Sequence, residues 1–122
     1  GGTSYDSGLT DYQHSLIFQT GNVSNAGAQT TNDILSSIRL AATPVGNSAG
    51  AAGVSGVVNV LNPHLAVRTT ITSSLGHWNN GLSSTVGSGV RNSSADVDAV
   101  RFFFNSDNMA SGTITMYGKV NS

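Results

Sequence analysis

Alternation of side-chain character with a period of two constrains this chain more than any other feature. Leu65, Val67, Thr69, Ile71, Ser73 and Leu75 fall on one side of an extended backbone, and Ala66, Arg68, Thr70 and Thr72 on the other. That period belongs to a half-buried β-strand, because successive side chains of a strand leave opposite faces of the sheet. Ile34, Ser36, Ile38 and Leu40 alternate in the same way with Leu35, Ser37 and Arg39. Asp33 could cap a helix at that point, but the serine pair and the β-branched isoleucines favour a strand.

Further strands are expected at residues 15–19, ended by Thr20-Gly21-Asn22, and at residues 54–61, closed by Asn62-Pro63. Between them, residues 43–53 form a Gly/Ala/Asn connection around Pro44. Residues 76–89 read as a loop, although Trp78, Leu82 and Val86 require part of it to fold back onto a core. Residues 100–104 and 113–117 read as a closing hairpin, with a turn at Ser111-Gly112. Six or seven strands separated by turns, with no convincing helix, predict an all-β fold: a single β-sandwich of jelly-roll type spanning 1–122. The Gly1-Gly2 start reads either as the cut end of a longer protein, of which this is the C-terminal part, or as an added scar.

Disorder is the competing reading, so composition matters next. Gly, Ser, Thr and Asn account for 57 of the 122 residues, glutamate is absent, and Lys119 is the single lysine. A linker can have this composition, but a linker has no reason to alternate. The net charge of −1, with 9% charged residues, argues against a nucleic-acid stripe or a polybasic membrane patch. No apolar run approaches the roughly 20 residues of a membrane helix. Without cysteine there is no thiolate metal site, no thiol nucleophile and no disulfide.

Few residues suggest chemistry. His14, His64 and His77 are not at metal-ligand spacing, and His64 reads as a strand-edge residue after Pro63. Asp96 and Asp98 bracket Val97 and would share a face; they could contribute oxygens to calcium, but two solvated aspartates blunting an edge is the simpler reading. No serine sits in a G-x-S-x-G elbow, and Gly50, Gly53 and Gly56 lack the Lys-Ser/Thr and helix of a phosphate loop. The expectation is therefore no catalytic residue, no metal and no cofactor. The segment with most chemical character is His77-Trp78-Asn79-Asn80. An exposed indole can stack on the C–H face of a sugar while neighbouring amides bond its hydroxyls. The simpler alternative is that the only tryptophan anchors a core or a subunit interface.

Near the end of the chain, Phe102-Phe103-Phe104-Asn105-Ser106 and Asn108-Met109-Ala110-Ser111-Gly112-Thr113-Ile114-Thr115-Met116-Tyr117-Gly118 resemble the closing segment of bacteriophage structural proteins. Those tail, fibre or head-associated proteins end roughly in R-F-x-F-x-S-x-N-I-A-S-G-T-x-T-L-Y-G. Met109 and Met116 stand here for the usual Ile and Leu, and the match covers about a fifth of the domain. The resemblance implies a non-enzymatic virion domain exposed on the particle, of tail-fibre or spike type, and a homo-oligomer with a trimer favoured. Its partners would be a host-surface glycan or a neighbouring virion protein, with neither nucleic acid nor membrane. Two alternatives remain: a capsid or tail decoration module with no ligand, in which Trp78 would be buried, and a carbohydrate-binding module of a polysaccharide-degrading enzyme.

Overall fold

The computed structural model describes residues 5–21, 29–51, 53–78, 80–106 and 109–119. Within them the chain is all-β, with one antiparallel sheet of five strands and no helix. The strands are β1 (Tyr12–Thr20), β2 (Gln29–Leu35), β3 (Val54–Leu61), β4 (Thr70–Trp78) and β5 (Leu82–Arg91), in the spatial order β2-β1-β5-β4-β3. β5 is the centre and β2 and β3 are the edges. β3 matches residues 54–61 as expected, and β1 contains residues 15–19.

Register divides the side chains cleanly between two faces. One face collects His14 and Leu16 of β1, Ser83, Thr85, Gly87 and Gly89 of β5, Ile71, Ser73, Leu75 and His77 of β4, and Val54, Val58 and Val60 of β3. Every buried residue of these strands lies on this covered face; Leu16 is the one buried hydrophobic among the described residues, joined by His14, Ser73, His77, Ser83 and Thr85. Two segments lie over it. Residues 36–46 run across β5 and β4, with Ile38 on Gly89 and the Thr43 hydroxyl at His77. Residues 96–103 and Tyr5-Asp6 line a cavity with Val58 and Val60 of β3, with Asp6 ion-paired to Arg91 of β5 at 2.6 Å and Arg101 over the Tyr5 and Phe103 rings. The layer is incomplete: a cavity of about 200 Å³ persists among Tyr12, Ile38, Val58, Val60, Ile71 and Phe102.

The structure corrects several expectations. Residues 76–89 are not a loop; they form the end of β4 and most of β5, the pair at the heart of the sheet. Their glycines and serines are low in β-propensity, and packing overrides it. A side chain on Gly87 would collide with Leu16 and the Ser15 carbonyl, and one on Gly89 with Ile38. The glycines are thus where other groups approach the backbone. Trp78, Leu82 and Val86 do not turn back to a core, since all three are exposed.

The alternating run after Ile34 leaves the sheet at Leu35, and residues 36–40 become part of the cover. The long strand expected from Leu65 begins at Thr70, because Asn62 takes a positive φ of 57° and residues 62–68 form a turn. Finally, residues 100–104 and 113–117 form no strand pair. The described residues hold five strands, against the six or seven expected.

Close packing at β5 leads to a direct test. Gly87→Ala should destabilise the protein by about 1–3 kcal/mol in urea denaturation, because Leu16 and a backbone carbonyl must both shift. Gly76→Ala, where the nearest atom stands 3.9 Å from the added carbon, should lie near wild type. Equal effects at the two positions would contradict this account of the core.

Candidate functional site

The second face of the sheet is open. It presents Gln13, Ser15, Ile17 and Gln19 of β1, Ser84, Val86, Ser88 and Val90 of β5, and Thr70, Thr72, Ser74, Gly76 and Trp78 of β4. β3 adds Ser55, Val57, Asn59 and Leu61, and β2 adds Asn32 and Ile34. None of these residues carries a charge. An antiparallel sheet with one wet face ordinarily displays charged residues there. This one displays hydroxyls, amides and single aliphatic side chains.

Register orders them in rows. Asn32, Ser15, Ser88, Thr72 and Asn59 form one polar row across all five strands, with Asn59 Nδ2 donating to Thr72 Oγ1 at 3.3 Å. The next row is more apolar, with Ile17, Val86, Ser74 and Val57. Beyond it come Gln19, Ser84, Gly76 and Ser55, and then Trp78 opposite Leu82. Near β2 lies an open depression of about 710 Å³, lined by Gln13, Ser15, Asn32, Ile34, Ser88 and Val90 of this face and by His14, Asp33 and Gly89 of the other.

Trp78 is the largest side chain on this face and is 43% exposed. Its backbone is held from two sides. The Gly46 N–H donates to the Trp78 carbonyl at 2.7 Å, and the Trp78 N–H donates to the Gly53 carbonyl at 3.4 Å. Trp78 closes β4 before the β4–β5 turn, where Asn80 adopts a left-handed conformation with φ of 56° that asparagine tolerates better than most residues. A wide aromatic ring is thereby presented from a fixed backbone, beside the shallow Gln19–Ser84–Gly76–Ser55 row.

Of the four residues singled out by sequence, the structure brings Trp78 and Asn80 to the same end of the sheet. Asn79 lies outside the described residues. His77 is turned away: it is 2% exposed on the covered face, with Nε2 at 2.8 Å from the Thr43 hydroxyl. Adjacent strand residues point oppositely, so Trp78 and His77 cannot share a surface. The hydroxyl and amide rows were not singled out, because Ser and Asn occur throughout the sequence and only strand register selects these.

The carboxylates have local partners. Asp6 pairs with Arg91, Asp11 Oδ2 accepts from the Gly8 N–H at 2.6 Å, and Asp33 Oδ1 accepts from the Ile34 N–H at 2.8 Å. Asp96 and Asp98 lie off the sheet, flanking Val97, whose N–H donates to the Pro63 carbonyl at 2.7 Å. Among the described residues, no three His, Asp or Glu side chains gather where they could hold a metal.

No family model matches the chain, and no curated protein or solved structure matches it either.

The two covered-face histidines make the fold sensitive to pH. Burial pushes His77 below the ordinary histidine value of 6.5, with the Pro44 carbonyl opposing. Burial, reinforced by Arg39, does the same to His14 against the opposing pull of Asp33. Neither ring nitrogen of His14 has a partner among the described residues. A depressed folded pKa means that the unfolded chain takes up protons first. The stabilisation is present above the unfolded value and is lost as pH falls through the interval down to the folded one. The melting temperature should therefore drop as pH is lowered from about 7 to about 5. The double variant His14→Gln/His77→Gln should show a weaker drop, and an unchanged profile would contradict the assignment.

Proposed function

We propose that this domain is a non-enzymatic display module of a bacteriophage particle, of tail-fibre or spike type, whose open sheet face binds a neutral host-surface glycan. The observation that carries the binding reading is the conjunction of an exposed, backbone-fixed Trp78 with a sheet face that bears no charge. Neutral sugars are recognised by such a set: an aromatic ring receives the C–H face, and amides and hydroxyls exchange hydrogen bonds with the ring hydroxyls. Trp78 would provide the stacking platform, while Asn80, Gln19, Ser84 and Ser55 would supply polar contacts around it. Gly76, with no side chain, leaves room for a ring to lie flat between them.

The virion assignment rests on the closing segment up to Gly118 and on the charge-poor Gly/Ser/Asn composition. The sandwich arrangement belongs to the same proposal. Residues 36–46 and 96–103 already form part of a second layer over the covered face, and the remaining cavity marks where that layer is open. Assembly as a homo-oligomer, with a trimer favoured, would supply the missing cover.

A second reading is supported by the aliphatic row. Ile17, Val86 and Val57 are each more than half exposed and could seat a neighbouring virion protein instead of a sugar. A decoration module without ligand is supported less, since it would bury Trp78.

Glycan-array binding followed by titration of the best hit separates these readings. Trp78→Ala should weaken glycan binding by about tenfold or more while leaving the melting temperature close to wild type. Val86→Ser should change glycan binding little. Absence of binding across neutral glycans, or binding indifferent to Trp78, would remove the glycan reading.

A further inference from the structure

Two parts of the chain lack a pairing partner among the described residues.

The first is residues 113–117, Thr-Ile-Thr-Met-Tyr. They alternate as a strand should, yet no backbone hydrogen bond joins residues 98–119 to any other described residue. Ile114, Met116 and Tyr117 are 61%, 78% and 85% exposed. The second is the free edge of β3. Edge strands are normally guarded by a charge, a proline or a bulge. β2, the other edge, carries Asp33, whereas β3 (Val-Ser-Gly-Val-Val-Asn-Val-Leu) has neither charge nor proline along its eight residues.

We infer that residues 113–117 pair with the β3 edge of a second copy of this chain, adding a sixth strand to the partner's sheet. The side-chain chemistry of the two strands agrees. β3 turns Val54, Gly56, Val58 and Val60 to the covered face and Ser55, Val57, Asn59 and Leu61 to the open face. Residues 113–117 have Ile114 and Met116 on one side and Thr113, Thr115 and Tyr117 on the other. Pairing that places Ile114 and Met116 beside Val58 and Val60 extends the partner's covered face next to its open cavity. In the antiparallel register it also sets Thr115 beside Asn59 on the open face, with Thr113 at Leu61 and Tyr117 at Val57. Within one chain no backbone hydrogen bond joins residues 113–117 to β3 among the described residues, while residues 99–103 line the cavity beside Val58 and Val60.

This inference rests on the homo-oligomer reading above but is tested separately from it. The chain contains no cysteine, so introduced thiols report cleanly. A tagged Val58→Cys chain is mixed with untagged Ile114→Cys or Met116→Cys chains under mild oxidation, and the mass of wild type is measured by light scattering. The expected result is an oligomeric wild type and a disulfide-linked species holding one tagged and one untagged chain. Ile114→Pro and Thr115→Pro each remove a backbone donor, and successive donors point to opposite sides of a strand. One of the two should therefore weaken association at least tenfold with the far-ultraviolet β signal intact. An oligomeric wild type with no mixed disulfide and no proline effect overturns strand exchange and leaves homo-oligomerisation standing. Ring closure within a single Val58→Cys/Met116→Cys chain shows the segment on its own edge and likewise overturns it. A monomeric wild type overturns both.

Discussion

The close approach of Leu16 and Ile38 to a central strand that lacks side chains at Gly87 and Gly89 underlies the rest of the structure. β5 lies in the middle of the sheet and offers Gly87 and Gly89 on the face that is covered. Leu16 from β1 reaches over Gly87, and Ile38 from the covering segment reaches over Gly89. With ordinary side chains at these positions, the cover would be lifted off the sheet. The remaining buried side chains on this face are small hydroxyls and two neutral histidines, so the core is thin and depends on proximity more than on bulk.

A thin core has consequences for the other face and the edges. A five-stranded sheet with one large buried aliphatic residue gains little from apolar burial within a single chain. Val57, Leu61, Val86, Ile17, Phe103, Ile114 and Met116 are left at the surface. The absence of charge around most of them means that a partner meets no desolvation penalty from ions. The same property suits a sugar on the open face and a neighbouring strand at the β3 edge. Shape and neutral hydrogen bonds discriminate between these partners, because charge cannot.

Legibility in the sequence followed local chemistry. β3 was readable because Val57, Val58 and Val60 are strong strand formers and Asn62-Pro63 stops them. β1 was readable from Leu16, Ile17 and Phe18, although its extent back to Tyr12 was not. β5 was hidden, since Ser-Ser-Thr-Val-Gly-Ser-Gly-Val is turn-like in composition and becomes a strand because Leu16 and Ile38 need its glycines. The opposite error arose at residues 100–104, rich in aromatics, and at the alternating residues 113–117, which form no strand pair among the described residues. Of the candidate site, Trp78 and Asn80 were visible as unusual residues, but the opposite orientation of His77 required knowing that β4 runs through it.

The sequence by itself determined that the chain is all-β, that β3 runs from Val54 to Leu61, and that only 9% of its residues are charged. Each of these follows from residue type and period alone. Only the tertiary structure decided which strands are neighbours, and therefore which serines and asparagines line up into rows and on which face Trp78 stands. The physical reason is that strand pairing is set by contacts between residues distant in sequence. A glycine reads as a turn former until the side chain that needs its empty space is found.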